Sequence, residues 1–149
     1  MKIYIGADHR GFEMKEKIRI WLKKLGYNIE DCGAFELNEK DDYTLYAEKV
    51  ASLVADNSRS FGILLCGSGV GVEIAANKFD GVRASIGKLP EQIKDGRSDD
   101  AMNVLVIAAD YTPLIESKRM VKMFLHTAYE KNARHDRRLS DIEKIEANN

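Results

Sequence analysis

Phe61-Gly62-Ile63-Leu64-Leu65-Cys66 runs directly into Gly67-Ser68-Gly69-Val70-Gly71. The first stretch shows no alternation of apolar and polar types, the signature of a strand buried on both faces. The glycines that follow turn the chain tightly, and a helical stretch from Glu73 to Lys78 comes next. A strand buried on both faces needs helices above and below it. The flanking sequence must therefore supply further strands alternating with helices.

It does so on both sides. Upstream, Ile3-Tyr4-Ile5 is a short β-rich run that stops at Gly6. Met14, Ile18, Trp21, Leu22 and Leu25 then repeat at helical spacing up to Gly26, a natural helix stop. Tyr27-Asn28-Ile29 opens a second strand that ends near Cys32-Gly33. The polar stretch Glu36 to Asp42 reads as a loop, and Ala47, Val50, Ala51 and Val54 mark another helix. Downstream, Val82 to Ile86 gives a fourth strand, Pro90 to Arg97 a short helix and Val104 to Ala109 a fifth strand. Leu114, Val121, Leu125 and Ala128 continue a long helix; Leu139, Ile142 and Ile145 mark a final one. The pattern predicts one doubly wound, Rossmann-like three-layer α/β domain over residues 1–149, a parallel sheet covered by helices on both faces.

Composition agrees and removes several classes. In 149 residues, 44% are hydrophobic and 32% charged, enough for a real core and unlike a disordered chain. Basic residues number 23 and acidic ones 24, so no positive surplus exists for non-specific nucleic-acid binding. Two Cys cannot build a disulfide framework. The run from Met1 to Gly6 breaks too early for a signal peptide, and no apolar run approaches the ~18 residues of a membrane span. A soluble, cytoplasmic protein is expected.

In sheets of this type ligands bind at the carboxyl ends of the strands. Gly6-Ala7-Asp8-His9-Arg10-Gly11 follows strand one, and Cys66 to Gly71 follows strand three. Arg97-Ser98-Asp99-Asp100-Ala101-Met102-Asn103 reads as a loop ahead of strand five, placed to reach that edge only from its loop or from a partner subunit. The glycine loop, taken alone, fits either a tight turn or converging amides that hold an anion. A dinucleotide fingerprint would need glycine at Val72, and no P-loop lysine follows. Cys66 at the head of this loop is expected to have a lowered pKa and to serve as base or nucleophile; a buried structural role is the alternative. Cys32, without polar company, reads as structural. Asp8-His9 fits turn chemistry as well as a substrate clamp. His126, in a long helix, reads as packed or half-exposed. The His and Cys spacing predicts no metal site.

Arg134-His135-Asp136-Arg137-Arg138 sits ahead of the last predicted helix. Cations there oppose the macrodipole unless they hold an anion, although a solvated basic turn is the plain alternative. Two anion-friendly places and a thiol base point to a phosphorylated small metabolite.

Gly6-Ala7-Asp8-His9-Arg10-Gly11-Phe12, Asp42-Tyr43, Cys66 to Gly71 with Ala75-Ala76-Asn77-Lys78, Asn103-Val104-Leu105, and Arg134-His135 with Arg138 occur in this order. Together they resemble the ribose-5-phosphate isomerase B and galactose-6-phosphate isomerase family over essentially the whole chain. The resemblance implies a five-stranded parallel sheet, a homodimer or dimer of dimers with shared active sites, and no metal or organic cofactor. It implies aldose–ketose isomerisation, most simply of ribose 5-phosphate, with six-carbon sugar phosphates and a catalytically weak binding protein as the rivals. Cys66 is implied as the base, and Ser68, where the family more often has Thr, as a proton carrier between the two oxygens. The amides of Gly67, Gly69, Val70 and Gly71 would face the enediolate, each contributing ~3–4 kcal/mol. Asp8 and Tyr43 would contact sugar hydroxyls, while His9 and a partner's Arg134 and Arg138 hold the phosphate.

The chain departs from the family in three places. Asp99-Asp100 stand where a ring-opening His and an Asn are usual, which gives Asp99 the ring-opening position and Asp100 a substrate contact. Asp110 stands where an Arg assisting the phosphate is common. Some relatives use a Glu directly after the loop in place of the Cys base. Here that position is Val72, and Glu73 lies one further on.

Overall fold

The computed structural model describes residues 1–148. Its elements are β1 (Lys2–Ala7), α1 (Phe12–Lys24), β2 (Asn28–Asp31), α2 (Tyr43–Ala55), β3 (Ser60–Cys66), α3 (Val70–Ala76), β4 (Ala84–Ile86), α4 (Pro90–Asp100), β5 (Val104–Ala108), α5 (Leu114–His126) and α6 (Ala133–Glu146). The five strands form one parallel sheet in the order β2-β1-β3-β5-β4. The winding direction reverses between β1 and β3, and such a switch point opens a crevice at the carboxyl ends. Those ends are Ala7 and Cys66, with Ala7 in register with Leu65.

Successive strand side chains point to opposite faces, so β3 feeds two cores. Ile63 and Leu65 pack with Ile18 and Leu22 of α1, Ile93 of α4 and Met120 and Phe124 of α5. Leu64 and Cys66 pack with Ala47 and Val50 of α2 and Val72 and Ala76 of α3. Helices therefore cover both faces, as the unbroken apolar run requires. On the α2 side the packing is close: a Cβ at Gly6 would lie 3.0 Å from Val50 Cγ2. Among the described residues no helix is long and apolar enough to cross a membrane.

Several boundaries differ from the sequence reading: β4 begins at Ala84 rather than Val82, β5 ends at Ala108 rather than Ala109, and α3 ends at Ala76 rather than Lys78. Helix α3 begins at Val70 rather than Glu73, because Gly69 takes the left-handed conformation (φ 80°) that turns the strand into the helix. Helix α4 continues through Asp100, so Asp99 and Asp100 are helical; Ala101 ends it at φ 49° without the usual glycine. Helix α6 starts at Ala133, which puts the basic cluster inside its first turns. Asn132 caps it, its side chain accepting from the amides of Arg134 and His135 at 3.0 and 2.9 Å. Helix α5 stops at His126, short of Ala128.

One buried charge ties α1 to β2. Lys15 is fully buried, and its Nζ donates to both Asp31 oxygens at 2.8 Å and to the Ala34 carbonyl at 2.7 Å, with Glu16 at 2.9 Å. Removing Asp31 takes two of the buried ammonium's acceptors and leaves it Glu16 and one carbonyl, whereas removing Lys15 leaves a carboxylate that Arg19 and water still reach. Asp31→Ala is therefore expected to cost about 3 kcal/mol in urea unfolding, and Lys15→Met clearly less. Equal losses would contradict this account of the pair.

Candidate active site

Three turns meet at the carboxyl edge beside the switch point. In the β1–α1 turn, Asp8 is buried and its Oδ1 accepts from the amides of Arg10 and Gly11 at 3.0 and 3.1 Å. Turn chemistry is thus one real role of Asp8. Burial pushes its carboxyl upward, opposed by the Gly11 amide and by His9. His9 is fixed by a residue that the sequence reading passed over. Asp41 Oδ1 accepts from both the His9 amide (3.1 Å) and its Nδ1 (2.7 Å). The Asp41 side chain is 3% exposed, and its Oδ2 has no hydrogen-bond partner among the described residues. With Nδ1–H committed to Asp41, His9 keeps Nε2 for a ligand.

The β3–α3 turn carries Cys66 and Ser68. Cys66 is buried (5% exposed), and its Sγ accepts from the Gly69 amide at 3.2 Å. Burial pushes the thiol up, and this outweighs the amides of Val72 and Gly69 that favour the thiolate; Asp8 raises it further and Arg10 opposes. The lowered pKa expected from the loop is therefore corrected: the amides are present, but desolvation is the larger effect. The same contacts change the reading of the loop amides. Gly69 N–H is engaged by Cys66, and Val70 N–H by Ser68 Oγ at 3.3 Å, so neither is idle in the free chain. Ser68 itself is exposed at the mouth of the turn.

Tyr43 opens α2 and lays its ring on α3. A Cβ at Gly71 would meet that ring at 2.7 Å, so glycine there is what lets Tyr43 reach the loop. Glu73 points elsewhere: its carboxylate accepts from the Ile86 amide at 3.0 Å. Cys32, by contrast, is 1% exposed and its thiol is pushed up to about 11, mainly by burial, which fits the structural reading. His126 sits exposed at the end of α5, hydrogen-bonded to the Tyr27 hydroxyl at 2.8 Å.

The remaining candidates form a second cluster at the opposite edge. Helix α4 runs back against the strands, so Asp99 and Asp100 arrive at the amino end of β5. Helix α6 joins them there. Glu130 N–H bonds the Ser98 carbonyl at 2.8 Å, and His135 Nε2 lies 3.9 Å from Asp99 Oδ1. Arg134 and Arg138, on the first turns of α6, are exposed beside this pair. A cavity of about 620 Å³ opens nearby, lined by Arg83, Asp100, Ile142 and Glu146 among others, and contains none of Asp8, Cys66 and Ser68. The 7 residues of β3 separate the two edges, roughly 20 Å at strand rise. One chain therefore brings Asp8, His9, Tyr43, Cys66 and Ser68 together, and Asp99, Asp100, Arg134 and Arg138 together, but not the two sets.

A doubly wound α/β sheet with a buried thiol heading a glycine turn at its switch point, flanked by a carboxyl group and a fixed imidazole, defines a small-molecule enzyme of the proton-transfer class. A family model described as Ribose/Galactose Isomerase matches residues 3–142. The chain belongs to that family, the sugar-phosphate isomerases. Ribose-5-phosphate isomerase B of Escherichia coli is 39% identical over 145 residues, covering 97% of this chain and 96% of that protein. The crystal structure of ribose-5-phosphate isomerase B from Mycoplasma genitalium with bound ribulose-5-phosphate superimposes with a TM-score of 0.95 at 36% identity, covering 99% and 97% of the two chains. The Thermotoga maritima ribose 5-phosphate isomerase superimposes at 0.91 with 38% identity, covering 96% of this chain and 97% of that one.

Proposed function

We propose that the chain interconverts ribose 5-phosphate and ribulose 5-phosphate through an enediolate, with Cys66 as the base. The observation that carries this is the place of Cys66: a desolvated thiol at the switch point, its Sγ held by the Gly69 amide beside Asp8 and Tyr43. Aldose–ketose isomerisation moves one proton between adjacent carbons and a second between their oxygens. Cys66 takes the carbon-bound proton and returns it to the neighbouring carbon. Ser68, exposed at the mouth, serves the oxygens. Asp8 and Tyr43 contact sugar hydroxyls, and His9 meets the phosphate with Nε2.

The second cluster completes the site from another copy of the chain in a homodimer. Asp100 contacts the sugar there, and Arg134 and Arg138, four apart on α6, fork the phosphate. Ring opening needs a group that takes the anomeric hydroxyl proton and another that protonates the ring oxygen. A carboxylate such as that of Asp99 takes a proton and needs a partner to give one. His135, 3.9 Å away, supplies the donor from Nε2–H in the tautomer whose Nδ1 accepts from the Asn132 side-chain amide at 2.9 Å.

Turnover in heavy water tests the reading. Deuterium is expected to enter the product carbon from ribose 5-phosphate, with pentose phosphate turned over faster than six-carbon sugar phosphates. Tight binding without exchange would make the chain a binding protein, and exchange confined to six-carbon substrates would make it a hexose phosphate isomerase. Asp99→Asn is expected to slow ribose 5-phosphate conversion about tenfold, and Asp99→His to speed it at neutral pH, because one imidazole can both accept and donate. Unchanged rates in both variants would remove Asp99 from ring opening.

A further inference from the structure

Arg10 belongs to none of the roles above, yet it links the β1–α1 and β3–α3 turns to Asp110, which follows β5. Its amide is held by Asp8 Oδ1 at 3.0 Å in the β1–α1 turn. Its guanidinium lies against Gly67 at the head of the β3–α3 turn. A Cβ built on Gly67 would fall 2.2 Å from Nε and 2.3 Å from Cζ, so only glycine admits the guanidinium. At its far end NH2 donates to Asp110 Oδ2, and Asp110 is itself anchored because its amide bonds the Gly67 carbonyl at 3.1 Å.

A surface Arg is ordinarily a mobile chain with ~2 kcal/mol of rotamer entropy to lose on binding. Here that freedom is already removed. The guanidinium carries five N–H donors, and Asp110 occupies NH2. The Arg10 side chain remains 54% exposed, so the guanidinium keeps donors beyond the one given to Asp110 for a ligand beside Gly67, the neighbour of Cys66. Fork-shaped donors of this kind suit a phosphate. Asp110 by itself would repel a phosphate dianion. Paired with Arg10 it is neutralised, and it acts as the residue that aims the cation.

We propose that Arg10, positioned by Asp110, is a phosphate-binding residue contributed by the same protomer as Cys66. This rests on the sugar-phosphate reading of the site, so the test has one arm that needs no turnover. Calorimetric binding of inorganic phosphate to the wild-type protein is expected to weaken about ten- to hundredfold in Arg10→Ala. In kinetics with ribose 5-phosphate, KM should rise by more than kcat falls. Asp110→Asn keeps the cation and loses its anchor, so a smaller loss with the same bias toward KM is expected. The exchanged pair Arg10→Ala/Asp110→Arg delivers a guanidinium from the facing turn, and should recover affinity lost in Arg10→Ala. Unchanged phosphate affinity in Arg10→Ala would overturn the proposal and leave a plain surface ion pair, worth ~0–1 kcal/mol. A double variant no better than Arg10→Ala would overturn it as well. If the wild type binds phosphate through Arg10 but turns over no sugar phosphate, the isomerase reading fails and the anion site stands.

Discussion

Cys66→Ser is expected to lower kcat for ribose 5-phosphate by about 10²–10⁴-fold, the usual contribution of a positioned base, while sugar-phosphate binding stays nearly unchanged. The oxygen of serine is smaller than sulfur and fits the same pocket, where the Gly69 amide at 3.2 Å remains available to it. Its alkoxide is far harder to form than a thiolate. Retained wild-type turnover would assign the base elsewhere, and Glu73 is a poor substitute because its carboxylate already accepts from the Ile86 amide.

The direction of the thiol shift gives this prediction a pH signature. Burial holds the Cys66 thiol above the ordinary range, so the thiolate is scarce near neutrality in the free enzyme. The acid limb of kcat/KM is then expected to keep rising past the ordinary thiol pKa of ~8.5. Alkylation of Cys66 by iodoacetamide should climb about tenfold per pH unit over the same range. The sign for stability follows from the same shift. Above the unfolded thiol pKa the unfolded chain loses its proton first, so the native state binds more protons and stability falls as pH rises. Cys32, pushed up to about 11, adds to that loss in the wild type and in Cys66→Ser alike. The difference between the two proteins therefore isolates Cys66. A plateau in kcat/KM already at pH 7 would show that the complete site reverses the effect of burial.

What the sequence made legible follows the range of the interactions involved. Unbroken apolar runs such as Phe61 to Cys66 depend on burial of both faces, so the central strands could be read directly, and the edge strands β2 and β4 and the parallel arrangement from the alternation with helices. The glycines of the β3–α3 turn were equally visible, because positive φ at Gly69 is a local demand. Helix ends were harder. Ala101 takes a left-handed conformation that sequence assigns to glycine, and the Asn132 cap was masked by the basic residues behind it. Contacts between distant turns left no local trace. Asp41 reaches His9 across 32 positions and Arg10 reaches Asp110 across 100, and nothing in either neighbourhood marks the pairing. The pKa of Cys66 failed for a related reason. Amides near a loop can be counted from sequence, whereas desolvation depends on what α2 and α3 pack over it.

Mixing two impaired variants should regenerate activity if the two edges of the fold serve one site. Within a chain, the seven-residue span of β3 separates Cys66 from the cluster of Asp99, Arg134 and Arg138, and α6 packs against α4 rather than toward the switch point. No side chain spans a gap of roughly 20 Å, so a site using both clusters must draw the second from another copy. In a symmetric dimer each site would then hold Cys66 of one protomer and Arg138 of its partner. Cys66→Ser and Arg138→Ala homodimers are each expected to be nearly inactive. In their heterodimer one site carries both defects and the other carries neither. Equal mixing with free exchange makes half the dimers hetero, so recovery should approach about a quarter of wild-type turnover. The recovered activity should show the wild-type KM, because the intact site has its full set of cations. If subunit exchange is demonstrated and activity stays at the level of the separate variants, Arg138 serves its own chain or no site at all, and the two-edge arrangement loses its functional meaning.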